Sequence, residues 1–344
     1  VILYYEHSDE TLAQDNQLIQ LKFKSNHRNG YNFIGFASGR LGTMHYHDPS
    51  YFNLGVERQS YYANQGLVLG ANVAYSGFNK LRMYLASEQQ MSLLVSNELN
   101  GVPHRQHNFS VAGAAYDKGN WRLSTQVAYQ YIFEHNKSGE SATHHRLNPF
   151  AELTYKRMKR IELKTGLTYR SSFRMPSFNE LYYNNIGNTA LTPERAEQLS
   201  FFGDFSNERE WFSWLLRPTL YFNQVKDKIV AIPTQNLFIW SMQNVGLVHV
   251  KGFDIQGVVQ FKFKNKNKLN FTANYTMQQA IDRTAVDSPT YGHQLAYTPL
   301  HNGNLDVSYH YKNHGIRFGV FANSLRYALN ENVSSNELPG YALL

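Results

Sequence analysis

No cysteine occurs among the 344 residues. That removes a disulfide framework, a thiolate metal site and every thiol-dependent mechanism. No stretch of about 18 uninterrupted apolar residues is present, so the sequence offers no transmembrane helix. The opening VILYYEH lacks the basic start and long apolar centre of a signal peptide. It also lacks an initiator methionine, and the chain is expected to be a piece cut from something longer. Enzyme motifs are missing as well: no glycine loop ahead of a Lys-Ser/Thr pair, no His-Glu-x-x-His and no Gly-x-Ser-x-Gly. No carboxylate pair is singled out. The expectation is a non-enzyme with no cofactor.

Aromatic residues, by contrast, are plentiful: Tyr 24 and Phe 22, in a chain that is 42% hydrophobic and has a mean hydropathy of -0.48. A β-barrel in a bilayer accounts for both facts. One face of each strand meets lipid, the other a wet lumen, and aromatic rings gather at the two interfaces. Soluble glycan-binding β proteins are also Tyr-rich, so composition leaves both open. The net charge of +7 would admit an acidic partner. Its cations are scattered or sit in short turns, such as Lys156, Arg157, Lys159 and Arg160, or Lys264, Lys266 and Lys268. They read as solvated turn charges, and no nucleic-acid partner is expected.

Alternation with period two dominates the chain, and in a strand it sends successive side chains to opposite faces. Ile19, Leu21 and Phe23 alternate with Gln20, Lys22 and Lys24; Leu269, Phe271, Ala273 and Tyr275 alternate with Asn270, Thr272 and Asn274. No helical stripe competes over such lengths, so the chain is all-β. Runs such as 121–135 and 245–262 far exceed the usual strand of about five or six residues. A tilted strand crossing a bilayer needs about nine to eleven, and more where it continues beyond the membrane. Long strands favour a transmembrane antiparallel β-barrel over a sandwich.

Short polar turns fall at 26–30, 76–79, 117–120, 157–159, 207–210, 265–267 and 312–315. Longer loops alternate with them near 46–60, 96–106, 135–145, 174–196, 230–243, 283–298 and 329–338. Short turns on one side and long loops on the other is the outer-membrane pattern, with the short side periplasmic. About fourteen strands result, with a further one starting at Leu338. Pro218 falls inside a strand, where it cannot donate to the ladder, so a bulge is expected there. An open sheet edge in hydrocarbon would leave backbone groups unpaired at several kcal/mol each, so further strands are required to close the barrel.

One segment carries a resemblance. FRMPSFNELYYNNIGNTALTPERAEQ, residues 173–198, contains Phe173-Arg174-Met175-Pro176, then Glu180-Leu181-Tyr182, then Asn188-Thr189-Ala190-Leu191-Thr192-Pro193-Glu194. It resembles the Phe-Arg-x-Pro and Asn-x-x-Leu-x-Pro-Glu boxes of TonB-dependent outer-membrane receptors. Thr189 departs from the commoner Asn-Pro-x-Leu. Residues 225–256 resemble the next strand, loop and strand, with Asn244, Gly246, Gly252 and Asp254 in matching places. Leu338-Pro339-Gly340-Tyr341 resembles the start of the third strand from the family's C-terminal end. The wording is most similar to Bacteroidetes-type receptors for cobalamin or iron complexes.

The resemblance spans essentially the whole chain. It implies a single partial domain, 1–344, running from about the sixth strand to the start of the twentieth of a 22-stranded barrel. The plug domain, its energy-coupling box and the first and last strands lie outside. It further implies a Gram-negative outer-membrane importer embedded in lipid, driven through the plug by the TonB–ExbB–ExbD complex. The cargo would be bulky and scarce: a corrinoid first, an iron–siderophore next, haem third. A surface lipoprotein over the loops is a further partner the resemblance allows. The motif residues are Phe173, Arg174, Pro176, Glu180, Leu181, Asn188, Leu191, Pro193 and Glu194. Four of them also have a plain structural reading, Phe173 and Pro176 ending one strand and Pro193 and Glu194 resetting the next.

Ligand candidates lie between and after the boxes. Tyr182, Tyr183, Asn184 and Asn185 offer flat apolar surface with hydrogen-bonding tips, and Phe238, Trp240 and Met242 read the same way. An interface belt is the alternative for that second cluster. His45, His47, His104, His107, His135, His144, His145 and His293 fall in or beside the loops, yet residues 177–187 contain no histidine. They read as solvated loop histidines, and no metal site is assigned. The rival functional classes are a surface glycan-binding β-protein and a passive porin.

Overall fold

The computed structural model describes residues 9–26, 29–51, 56–183, 186–233, 240–263 and 267–344. Fourteen long strands run through them: β1 Thr11–Asn26, β2 Tyr31–Tyr51, β3 Val56–Phe78, β4 Leu81–Ser96, β5 His104–Lys118, β6 Trp121–His135 and β7 Ser141–Met158. They continue as β8 Glu162–Arg174, β9 Glu194–Glu208, β10 Phe212–Pro233, β11 Trp240–Lys262, β12 Lys268–Asp282, β13 His301–Tyr311 and β14 His314–Asn323. Two short pieces, β15 Arg326–Tyr327 and β16 Glu337–Leu338, pair with each other, and β17 Tyr341–Leu343 pairs with β14. The one α-helix among the described residues is α1, Phe178–Tyr182, and a 3-10 turn covers Ser334–Asn336. Strand order follows chain order without a crossover, which Greek-key sandwiches do not do.

The chain divides into two compact units, Val1–Ala115 with Gln126–Asn148, and Tyr116–Thr125 with Pro149–Leu344. In the first unit the strands outrun the sequence reading. Residues 46–60 were expected to form a loop. Instead β2 and β3 stay paired out to His47↔Gln59 and Asp48↔Arg58. Glu98 accepts from Arg58 at 3.2 Å and from Ser60 at 2.7 Å, and His47 meets Glu57 at 2.9 Å. Beyond the membrane both faces of a strand meet water or polar partners, so the alternation that marks the span fades while the ladder continues. The loop at 135–145 likewise contracts to 136–140, where the Asn136 side chain accepts from the Ser138 and Glu140 amides, both at 2.9 Å. Within 265–267 only Asn267 is described.

Register in the second unit fixes which residues share a face. Leu167 stands opposite Phe201, Phe201 opposite Leu220, Leu220 opposite Phe253 and Phe253 opposite Met277. A second row runs Leu163, Phe205, Leu216, Gly257, Ala273, Leu305 and Val320. Leu167, Phe201, Leu220, Met277 and Leu305 stay exposed, so no second layer covers them among the described residues. The exposed apolar face of β10 from Trp214 to Phe222 reaches the lower end of the about nine to eleven residues that a tilted strand needs at a membrane. The opposite face is polar and laterally bonded. Gln260 donates to Asn270 at 2.7 Å and Asn270 to Ser308 at 3.2 Å; Asn274 donates to Asn304 at 3.1 Å, and Arg317 donates to Asp306 at 2.8 Å.

Pro218 makes no bulge. The β9–β10 ladder lapses at Arg217 and Pro218, then resumes at Thr219↔Phe202 in the register it left at Leu216↔Phe205. Gly203 lies opposite, and a Cβ there would come within 3.3 Å of the Pro218 ring. The facing glycine makes room for a ring that offers no N–H, so the strand tolerates proline without an extra residue. At the chain's end the main sheet resumes at Tyr341 rather than Leu338, because Leu338 is taken by Arg326 in the small β15–β16 pair.

Candidate functional site

The two motif boxes close a single hydrogen-bonded structure in the β8–β9 connection. Pro176 follows the end of β8 and cannot continue a ladder. Ser177 then caps α1: its hydroxyl accepts from the Glu180 amide at 3.2 Å, while the Glu180 carboxylate accepts from the Ser177 amide at 2.7 Å. This Ser-x-x-Glu capping box satisfies two donors that a helix start leaves open. Phe178, Leu181 and Tyr182 turn inward and are buried together with Pro176 and Leu191. The chain then closes tightly, with the Gly187 amide donating to Tyr183 O at 2.6 Å and the Asn188 amide to Glu180 O at 2.8 Å. A Cβ at Gly187 would lie 2.7 Å from the Tyr183 nitrogen, so only glycine fits.

Arg174 ties this loop to the sheet. Its guanidinium donates to Glu180 at 2.8 Å and to Glu194 at 2.7 Å. Both carboxylates are nearly covered, at 18% and 15% side-chain exposure. Glu194 extends the tie to β10 by accepting from the Ile229 amide at 2.6 Å. Burial pushes the Glu180 carboxyl upward, but the Arg174 guanidinium and the Ser177 donors outweigh it and hold Glu180 below the usual carboxylate range. The planar fork of arginine suits one donor group held between two carboxylates.

The second box reaches across to β11. The Asn188 side chain donates to Met242 O at 2.9 Å, and the Met242 amide donates to Ile186 O at 2.8 Å. Asn244 grips three points: it accepts from the Thr192 amide at 2.8 Å and donates to Thr192 O at 3.0 Å and to Asp227 O at 2.6 Å. Asp227 has φ 54 and drops out of the β10–β11 ladder between Lys226↔Leu247 and Lys228↔Val245. Asn244 thus fills a gap that a left-handed residue opens.

Of the ligand candidates, Tyr182 is corrected in placement. It is 6% exposed and stands 6.0 Å from the Phe178 ring, inside the loop's own core. Tyr183, Trp240 and Met242 are half-buried, and the Trp240 ring lies 5.4 Å from that of Tyr297. Asn184, Asn185 and Phe238 lie outside the described residues. The histidines are spread out: His104 stacks on His135 at 4.9 Å, His145 bonds Tyr129 at 2.7 Å, and His293 accepts from the Asn332 amide at 3.4 Å.

Sequence reasoning passed over several residues. The Ser177–Glu180 capping box was present as a signal for α1. Tyr297, Gln294 and Asn332 carry no motif. They matter through contacts between the β12–β13 and β14–β17 connections, which no local pattern reveals.

Comparison with known proteins matches this architecture. The family model described as TonB dependent receptor-like, beta-barrel, matches residues 3–344. Among solved structures, the FrpB iron transporter of Neisseria meningitidis superposes with TM-score 0.69 at 9% identity, over 95% of this chain and 56% of that one. The copper transporter OprC gives 0.72 at 10%, over 95% and 55%. The siderophore receptor PiuA of Acinetobacter baumannii gives 0.69 at 12%, over 97% and 57%. Identities this low establish the fold alone, and the chain spans about half the length of each neighbour. With its exposed apolar rows, polar opposite face and continuous family match, the chain belongs to the TonB dependent receptor-like β-barrel family and is a Gram-negative outer-membrane protein.

Proposed function

We propose that the chain forms the outward-facing, cargo-capturing part of a TonB-driven importer, not an enzyme. The observation that carries this is the anchoring of Trp240–Asn244 onto the motif loop through Asn188, Ile186 and Asn244. Tyr183, Trp240 and Met242 then present aromatic and thioether surface at little cost in ordering, because their backbone is already fixed. Asn184, Asn185 and Phe238 flank them in sequence, and Tyr182 supports them from within.

The cargo is a bulky metal complex. Iron, siderophore and copper in the names of the structural neighbours favour that class, and the sequence resemblance favours a corrinoid within it, with a ferric siderophore next and haem third. A plug and coupling to TonB–ExbB–ExbD are supplied by parts of the protein outside this chain, and a surface lipoprotein is compatible with the exposed loops. Work is done by differential binding between plug states rather than by covalent chemistry.

Retention of cobalamin, a ferric siderophore and haem by the full-length protein tests this. One of the three should be retained, with about tenfold weaker retention in Trp240→Ala or Tyr183→Ala. Ion conductance without retention of any of them would mark a passive pore and sink the proposal.

A further inference from the structure

On the lipid-facing side of β10–β12, just beyond the apolar rows, the register assembles a cationic hollow. Phe222 stands opposite Lys251 and Lys251 opposite Gln279; one step further out His249 stands opposite Ile281. These residues share the face of Leu220, Phe253 and Met277, because each lies two or four residues further along its strand. With Arg283, they line a cavity of about 320 Å³. Lys226 joins them on the same face opposite Leu247, whose carbonyl accepts from the Arg283 amide at 2.8 Å.

The position and charge of the hollow are informative together. It lies on the long-loop end of the strands, the extracellular side, at the level where acyl chains give way to headgroups. Its floor is apolar, from Phe222 and Ile281, and its rim carries Lys251, Arg283 and His249. Among the described residues neither Lys251, Arg283 nor Lys226 forms an ion pair. A carboxylate on that face, Glu197, sits beside Gln224 and is engaged by Tyr169 and Ser171. Arg283 instead rests over the Tyr291 ring, 5.0 Å from its centroid. Exposed unpaired cations at the edge of hydrocarbon are stabilised by an anionic headgroup, and an arginine with a lysine suits a phosphate.

We propose that this hollow is a binding site for a phosphate-bearing lipid of the outer leaflet, with Lys251 and Arg283 on the phosphate and Phe222 and Ile281 against the first acyl carbons. The site is independent of the cargo and rests only on membrane orientation.

Native mass spectrometry of the full-length protein in detergent tests it, with diphosphorylated lipid A, its dephosphorylated form and inorganic phosphate as probes. Diphosphorylated lipid A should stay bound, with the dephosphorylated form held about tenfold more weakly. The double change Lys251→Gln, Arg283→Gln should lower retention about 30-fold, while Lys251→Arg, Arg283→Lys should keep it. Equal retention by the Gln variant would overturn the site. So would displacement of the lipid by millimolar inorganic phosphate, which would mark a free-anion site instead.

Discussion

Two long connections of the same unit are ordered by opposite means. The β8–β9 loop is held by charge: Arg174 between Glu180 and Glu194, with a capping box beneath. The β12–β13 loop has no comparable clamp among the described residues. At its start the buried Asp282 carboxylate accepts from the Thr284 amide at 2.8 Å and the Thr290 hydroxyl at 2.7 Å. Its return is held by neutral amides. Gln294 accepts from the Ala280 amide at 3.0 Å and donates to Thr298 O at 3.2 Å; its own amide donates to Asn332 at 2.6 Å, and Asn332 returns a bond to Gln294 O at 2.9 Å. Asn330 accepts from the Ala296 amide at 2.8 Å. Side-chain amides thus stand in for strand partners where no strand is available. Beneath them Val245, Val248, Ala280 and Leu295 form a small dry core. The contrast teaches that side-chain amides can order one stretch of a surface loop where an ion pair orders another, and that the Arg174 clamp should answer to pH more than the Gln294 contacts do.

The largest effect should come from Arg174→Met, which keeps length and removes charge. It leaves two nearly covered carboxylates facing each other, at a local cost of about 3 kcal/mol, the lower end for breaking a covered pair. Exchange of the Asn188 amide, which bonds Glu180 O, should accelerate by about two orders of magnitude, while the Leu295 amide stays protected. Arg174→Lys should recover only part, since one ammonium cannot reproduce the fork. Equal loss of protection in both loops would mean they are one cooperative unit, and the comparison would fail.

Gln294→Ala is the mirror experiment, at about 2 kcal/mol for buried groups left unpaired. Here the Leu295 amide should lose protection and the Asn188 amide should keep it. The two variants together ask whether each loop opens alone.

What was legible in the sequence divides along the same line. Wherever one strand face meets lipid and the other a wet lumen, alternation reads through directly, and β6 at Trp121–His135 begins and ends where its pattern does. Above the membrane that contrast vanishes, and β2 and β3 continue through residues read as loop. The Phe173–Glu194 boxes were visible as a motif, but their work was not. That Arg174 bridges two carboxylates depends on Glu194 returning beside it at the start of β9, twenty residues on. Tyr182 reads as ligand surface for its flat ring and hydrogen-bonding tip, yet a five-residue helix turns it inward. Gln294 gave no signal, for an isolated glutamine acquires meaning only when a second loop arrives with Asn332.

Acid should separate the loops without mutation. Glu180 is depressed in the folded protein from an ordinary value of 4.5. A depressed carboxyl contributes stability that is fully present above its unfolded value and is lost as pH falls through its folded value. Protection of the Asn188 amide should therefore be flat above about pH 5 and decline below 4.5. Gln294 and Asn330 have no proton to gain, so the bonds they accept from the Ala280 and Ala296 amides should hold across that window. An unchanged Asn188 exchange rate down to pH 3, corrected for intrinsic chemistry, would remove the charged clamp from the account.

The smallest effect sharpens which half of the charged loop matters more. Ser177→Ala deletes the hydroxyl that accepts from the Glu180 amide, a cap worth about 1 kcal/mol. It leaves Glu180 on Arg174 and on the Ser177 backbone amide, so the clamp survives while the helix loses one partner. The Asn188 amide should then exchange only several-fold faster. Combined with Arg174→Met, the cap deletion should add less than its own value, because Glu180 belongs to both devices and shared partners break additivity. Full additivity would instead mean that cap and clamp act independently, and that α1 is held by its buried Phe178, Leu181 and Tyr182 rather than by the carboxylate that links them to the sheet.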